Sequence, residues 1–162
     1  LPAIAVEPLA RLLGVTKGSF YWHFEDRQAL VEAVLHNWER RHIEERLNEL
    51  EAEPDPRARL QRLLRGTMED DRVLALDFAI QVSADDPWVE PYVRRTNRVW
   101  LAWFAALYAD LGLSADQTRR RALLTLSAYV GFLRILRTEP ELIGEGTARR
   151  AYVEFLLGTL LP

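Results

Sequence analysis

The sequence contains no cysteine, one methionine and three histidines. Without cysteine there can be no disulfide scaffold, zinc-thiolate site or cysteine nucleophile. Three histidines leave little for a histidine-rich metal site, and neither a metal nor a cofactor is expected. No stretch approaches the roughly 20 uncharged apolar residues of a membrane span. The start, Leu1-Pro2-Ala3-Ile4, lacks the basic region of a signal peptide, so a cytoplasmic protein is expected. Lysine is almost missing: of 21 lysines and arginines, only Lys17 is lysine. The net charge of −3 argues against non-specific nucleic-acid binding by the chain as a whole. What is present is a globular mixture, 49% hydrophobic and 28% charged over 162 residues, enough for a real core.

Apolar residues recur at three- and four-residue spacings and nowhere alternate with period two, which predicts an all-α fold. Breakers and caps divide the chain into eight helices. They run from Glu7 to Leu13, from Lys17 to Trp22 after the cap Thr16, and from Asp26 to Glu51. A fourth starts at Asp55-Pro56, and a fifth runs from Arg72 to Ala84. A sixth opens at Asp86-Pro87 and ends near Leu111-Gly112. Ser114 and Gln117 form a capping box for the seventh, which stops before Pro140, and the eighth spans Thr147 to Leu161. Pro91 predicts a kink or a late start in the sixth. The boundary between a small first unit, residues 1–42, and a larger second one, residues 43–162, falls within or just after the third helix. The first unit is too small to be stable alone and should pack on the rest or on residues preceding Leu1.

The most informative stretch runs from Ala10 to Phe24. It reads as helix, glycine-containing turn and short helix. Leu9, Ala10 and Leu13 share a face, Val15 should plug the turn into the core, and Phe20 and Phe24 should point inward. Thr16, Lys17, Ser19, Tyr21, Trp22 and His23 crowd the other side. Such donors on a short helix suit phosphate oxygens and base edges. On spacing alone, an αα-hairpin whose aromatics are simply core fits equally well.

The literal string Gly14-Val15-Thr16-Lys17-Gly18-Ser19-Phe20-Tyr21-Trp22-His23-Phe24, followed by Glu25-Asp26-Arg27-Gln28-Ala29-Leu30, closely resembles the DNA-binding signature of the TetR family of bacterial transcriptional regulators. The resemblance covers about residues 4–42. It implies an all-helical homodimer in which an N-terminal helix-turn-helix DNA-binding domain precedes a helical ligand-binding and dimerisation domain. By the same resemblance Lys17 and Ser19 reach bases or phosphates, and Gly18 brings the helix backbone close to DNA. Tyr21 and His23 contact phosphate, Trp22 faces the groove, Thr16 caps the recognition helix, and Arg27 holds phosphate. The expected function is a ligand-responsive regulator, a repressor released from double-stranded operator DNA by a small, largely apolar or aromatic effector. Members of the family carry a further helix, basic near its start, which is absent from the chain as given. Charges over residues 1–42 cancel, so that helix is expected to supply the positive surplus of a phosphate-binding surface.

In the second unit, Tyr92, Val93, Thr96, Trp100, Trp103, Phe104, Leu107 and Leu111 share one helix face. Most of that stripe reads as core. Trp88, Tyr92, Trp100, Trp103 and Phe104 also make a rigid aromatic wall for an effector, to which Met68, Phe78 and Gln81 can add. Asp77 lies among apolar residues. It is either ion-paired with a neighbouring arginine, exposed, or a polar handle in an apolar pocket. The run from Ala122 to Leu133 has no charge, and a soluble helix apolar all round needs cover all round. Leu126, Ser127, Val130 and Gly131, with Tyr152, Phe155, Leu156 and Thr159, are therefore expected to form a four-helix dimer seam.

An enzyme is the first rival reading. There is no Gly-rich phosphate loop, HExxH or Gly-x-Ser-x-Gly. His36 and His42 are badly spaced as co-ligands, and Asp70-Asp71 and Asp85-Asp86 sit where helix caps belong. The second rival is a helical small-molecule-binding or dimerisation module without DNA binding.

Overall fold

A computed structural model describes residues 6–12 and 14–162; Leu13, assigned above to the inner face of the first helix, lies outside them. The described residues form ten α-helices: α1 Val6–Leu12, α2 Lys17–His23, α3 Arg27–Glu39, α4 Arg46–Glu51, α5 Pro56–Met68, α6 Asp71–Gln81, α7 Glu90–Asp110, α8 Ala115–Thr138, α9 Pro140–Ile143 and α10 Thr147–Leu160. A π-helical stretch, Arg40–Glu45, joins α3 to α4 without a break. No described helix is long and apolar enough to cross a membrane.

Side chains start these helices where local chemistry says they should. Thr16 accepts the Ser19 N–H at 3.1 Å and Asp26 the Ala29 N–H at 2.8 Å. Asp55 and Asp70 cap α5 and α6, and Ser114 with Gln117 closes a capping box on α8. Two turns are made by glycines in the left-handed region, Gly14 at φ 67° and Gly112 at φ 86°. At the first, the Val15 N–H reaches back to the Ala10 carbonyl at 2.9 Å and the Gly14 N–H to that of Arg11 at 3.2 Å. The backbone of Val15, not its side chain, closes this turn. The side chain stays 43% exposed instead of entering the core. Ala10 and Phe20 are buried as expected, and Phe24 is half-buried.

One boundary takes the late start expected from Pro91, one falls earlier than expected, and one helix is additional. The helix expected from Asp86-Pro87 starts only at Glu90. Asp86 instead accepts the Trp88 N–H at 2.9 Å in a run of turns, and Pro91 occupies the first turn of α7, where its missing N–H is harmless. The helix expected to reach Ala84 ends at Gln81. The extra helix α9 begins on Pro140 itself.

The larger buried cluster gathers Leu60, Leu63, Leu64 and Met68 of α5, Trp100, Phe104, Leu107 and Tyr108 of α7, Phe132 and Leu133 of α8, and Val153, Leu156, Leu157 and Leu160 of α10. A second cluster joins Val31, Leu35 and Trp38 of α3 to Ile80, Val89 and Val93. The helix that follows the helix-turn-helix segment is thus packed on the ends of α6 and α7. Arg95 strengthens the same junction with a two-pronged pair to Glu39 at 2.8 and 3.0 Å, while lying 4.4 Å over the Tyr92 ring. Tyr92 Oη and His36 Nε2 share a hydrogen bond of 3.0 Å.

Candidate nucleic-acid interface and ligand cavity

On α2 the burial is one-sided. Phe20 is 7% exposed, whereas Tyr21 is 51% and Trp22 81% exposed. Thr16, Lys17, Gly18, His23 and Arg27 are exposed and Ser19 is half-buried. The Phe20 ring is fixed between Tyr21, edge-on at 5.2 Å, and Phe24 at 5.5 Å. Trp22 stacks edge-on with His23 at 4.5 Å. Lys17 Nζ reaches Glu7 Oε1 of α1 at 3.0 Å, and that hydrogen bond raises the ammonium's pKa. A Cβ on Gly18 would meet nothing closer than Thr16 Oγ1 at 3.7 Å, an ordinary contact. The chain's own packing therefore does not demand glycine there.

A cavity of about 40 Å³ lies among six elements. Thr96, Asn97, Trp100 and Phe104 of α7 form one wall, with Leu126 and Tyr129 of α8 beside it. Leu63, Leu64 and Thr67 of α5 and Gln81 of α6 add sides, and His42 and Arg46 close it from the π-helical stretch and α4. Trp100 contacts His42 edge-on at 5.9 Å and Phe104 at 5.8 Å. Thr96 Oγ1, Asn97 Oδ1 and Trp100 Nε1 are buried polar atoms without a hydrogen-bond partner among the described residues.

Behind the His42 and Tyr129 walls sits Asp77, only 2% exposed. Neither an arginine nor solvent satisfies it. Trp38 Nε1 donates to one carboxylate oxygen at 2.8 Å, and Tyr129 Oη donates to the other in a short hydrogen bond. His42 Nδ1 stands 3.4 Å away, its ring stacked on Trp38 at 5.2 Å. Burial lowers the His42 pKa more than the nearby Asp77 carboxylate raises it, which favours the neutral ring. Burial, together with the same carboxylate, pushes the Tyr129 phenol well above its ordinary range. No described cluster of three or more histidines, aspartates and glutamates could hold a metal ion.

Of the residues expected to meet an effector, Gln81, Trp100 and Phe104 line this cavity. Asp77 supports it from one layer behind. The others do not reach it. Met68 is 1% exposed and spent in the core, and Trp103 packs on Trp100 and Phe104 from the far side. Phe78 faces a groove beside Leu133 and Leu136. Tyr92 is turned to His36, and Trp88 lies on the 82–89 connection, 55% exposed. Of the expected dimer residues, Ser127, Phe155 and Thr159 are exposed and Val130, Gly131 and Tyr152 half-buried. Leu126 instead lines the cavity, and Leu156 belongs to the core. Leu123 and Leu124 of the uncharged run, and Leu142, are 58%, 48% and 68% exposed. His42, Arg46, Thr96, Asn97 and Tyr129 were missed at the cavity. For Thr96 and Asn97 the signal was available, since they lie four and three residues before Trp100 and share its side of the helix.

Residues 2–34 match the family described as bacterial regulatory proteins, tetR family. Over 57 residues the chain is 40% identical to the "HTH-type transcriptional regulator TtgR" of Pseudomonas putida, covering 35% of this chain and 27% of that protein. Identity and coverage are the same for the "Probable HTH-type transcriptional regulator ArpR", also of Pseudomonas putida. The matched segment thus spans about a quarter of the length of these relatives. A crystal structure assigned to a TetR-family transcriptional regulator from Rhodococcus sp. superposes with a TM-score of 0.66 at 22% identity, over 98% of this chain and 88% of that one. This last likeness is one of fold.

Proposed function

We propose that this chain, whose residues 2–34 match the tetR family of bacterial regulatory proteins, is a ligand-responsive repressor of that family that binds operator DNA as a homodimer. Residues 1–42 form the reading unit and residues 43–162 the effector and dimer unit. The observation that carries this reading is the one-sided burial of α2. Phe20 anchors the helix while Lys17, Gly18, Tyr21, Trp22 and His23 stay exposed, with Ser19 beside them. A side chain at Gly18 is tolerated by the chain itself, so its absence serves an approaching surface instead. Thr16 and Arg27, both exposed, flank that surface and would contact phosphate. The exposed Ser127, Phe155 and Thr159, with Val130, Gly131 and Tyr152, supply the dimer seam, extended by Leu123 and Leu124. A two-fold dimer would present its two α2 helices to successive major grooves, about 34 Å apart. The effector is small and largely apolar or aromatic, held against Trp100, Phe104 and Gln81 with Asp77 behind. The protein works in the cytoplasm, where its operator is.

Selection of genomic fragments by the purified chain, followed by mobility-shift assays on the recovered sites, tests this. A single palindromic site bound two chains at a time is expected. Recovery of no sequence above background by a folded dimer would overturn it. The second reading, a small-molecule-binding module without DNA binding, draws support from one observation. Over residues 1–42, Arg11, Lys17, Arg27, Arg40 and Arg41 are balanced by Glu7, Glu25, Asp26, Glu32 and Glu39, and Lys17 is paired with Glu7. Ligand binding without any enriched DNA would favour it.

A further inference from the structure

We propose that the cavity takes a small, neutral, single-ring hydroxyaromatic molecule of the phenol class, with its hydroxyl held by Trp100, Asn97 and Thr96. The inference rests on the reading of the chain as a ligand-responsive regulator and specifies what the ligand is.

Buried polar groups are ordinarily paired, and at other buried points of this fold they are. Tyr108 Oη and Thr125 Oγ1 share a bond of 2.7 Å, Trp38 donates to Asp77, and Thr118 donates to the Ala115 carbonyl at 2.9 Å. Apart from Arg149 Nε, the unpaired buried atoms among the described residues gather on one face of α7, at Thr96, Asn97 and Trp100, all lining the cavity. Trp100 is 5% and Thr96 2% exposed, so solvent does not serve them in passing. The indole N–H donates only, the amide oxygen of Asn97 accepts only, and the Thr96 hydroxyl does either. A ligand hydroxyl answers both needs at one oxygen. A carboxylate accepts only, and would leave the Asn97 oxygen facing negative charge. A plain hydrocarbon answers neither.

Charge points the same way. The Asp77 carboxylate lies directly behind Tyr129 and His42, both cavity walls. Burial lowers the His42 pKa, which favours its neutral ring. Arg46 is the cation on the wall, and it already pairs with Glu49 at 3.9 Å. A second buried anion would have no matching charge. Size sets the last limit. About 40 Å³ holds roughly three waters. One ring enters if the long side chains of Gln81 and Arg46 swing outward, whereas fused rings would have to displace Leu64, Phe104 and Leu126 from the packed core.

Calorimetric titration of the full chain with phenol, toluene and benzoate, up to millimolar concentrations, tests this without DNA. Phenol should bind saturably, one molecule per chain, at least tenfold more tightly than toluene, its near-isostere. Benzoate should bind more weakly than phenol. Trp100→Phe keeps an aromatic wall and removes the N–H. It should weaken phenol about three- to tenfold more than it weakens toluene. If that variant does not fold, Thr96→Val and the ligand series on the unmodified chain decide. Equal affinity for phenol and toluene, tighter binding of benzoate, or no saturable phenol binding would each overturn the proposal. Operator binding is measured separately. DNA bound without phenol binding sinks the ligand assignment and spares the DNA reading; phenol bound without DNA does the reverse.

Discussion

Tyr129→Phe removes one oxygen from the polar centre of the fold and leaves the ring in place. That oxygen donates to a carboxylate, Asp77, that is 2% exposed and has one other strong donor, Trp38 Nε1 at 2.8 Å. Hydrogen bonds to charged groups contribute about 1.5–3 kcal/mol each, and losing one partner of a buried charge falls at the upper end. A loss of about 2–3 kcal/mol is therefore expected at neutral pH, a large share of the ~5–15 kcal/mol by which a domain is stable. Urea denaturation at fixed protein concentration, needed because dimerisation would couple to stability, reads it directly. Tyr21→Phe serves as the control. Its hydroxyl sits on a half-exposed side chain of α2 and its loss should change stability by less than about 0.5 kcal/mol. Trp38→Phe should cost about as much as Tyr129→Phe. The double variant should depart from the sum, because the two donors serve the same carboxylate and are not independent sites. A Tyr129→Phe chain as stable as the parent would show that Asp77 does not depend on these donors, and the account of the buried centre would fail.

Three other outcomes follow from the same geometry. The His42 pKa is lowered by burial, so the unfolded chain binds the proton first. The stability His42 contributes is complete above its ordinary pKa near 6.5 and is lost as pH falls from there through the folded value. His42→Gln should flatten that acid limb in urea midpoints taken from pH 8 to 5. Lys17→Ala should weaken operator binding and reduce the salt slope by about one, whereas Glu7→Gln, which frees Lys17 from its partner, should strengthen binding; no effect of either in mobility shifts would remove Lys17 from the interface. At Gly131 a Cβ meets nothing within 4 Å inside the chain, so Gly131→Arg should fold and sediment as a monomer, whereas the proposed seam requires the parent to sediment as a dimer. A dimer retained by Gly131→Arg would move the seam elsewhere.

The parts of the fold legible in the sequence are those decided by near neighbours. Thr16, Asp26, Asp55 and Ser114 cap the helices they were expected to cap, because a cap is a contact between residues two or three apart. Two prolines four residues apart left the start of α7 open, and a turn built on the Asp86 side chain decided for Pro91. The stretch Arg40–Glu45 contains no glycine or proline, so nothing local announces a π-helix there. The ties at that point are long-range ones, with His42 stacked on Trp38 and set against Trp100. The cavity was half legible for the same reason. The face of α7 could be read from its spacing, but not which residues of α5, α6 and α8 would come to meet it. Asp77 was recognisably in need of a partner. That its partners are a tryptophan and a tyrosine, 39 and 52 residues away, depends on tertiary packing alone.

A π turn, bonded from each residue to the fifth along, holds one residue more than the α turn it replaces. The continuous helical path from Arg27 to Glu51 therefore keeps a spare residue in its middle. Deleting Arg41 would let the path close as plain α-helix, with Val31 and Leu35 before it and Leu50 after it still turned toward the clusters they occupy now. The same deletion at Glu32 would rotate everything beyond it by about 100° and tear one of those clusters open. Length is thus adjustable at a single point of the rod, and that point is where His42 touches the cavity. A shortened descendant of this chain would keep α3 packed on α6 and α7 and lose the placing of His42 at the cavity wall.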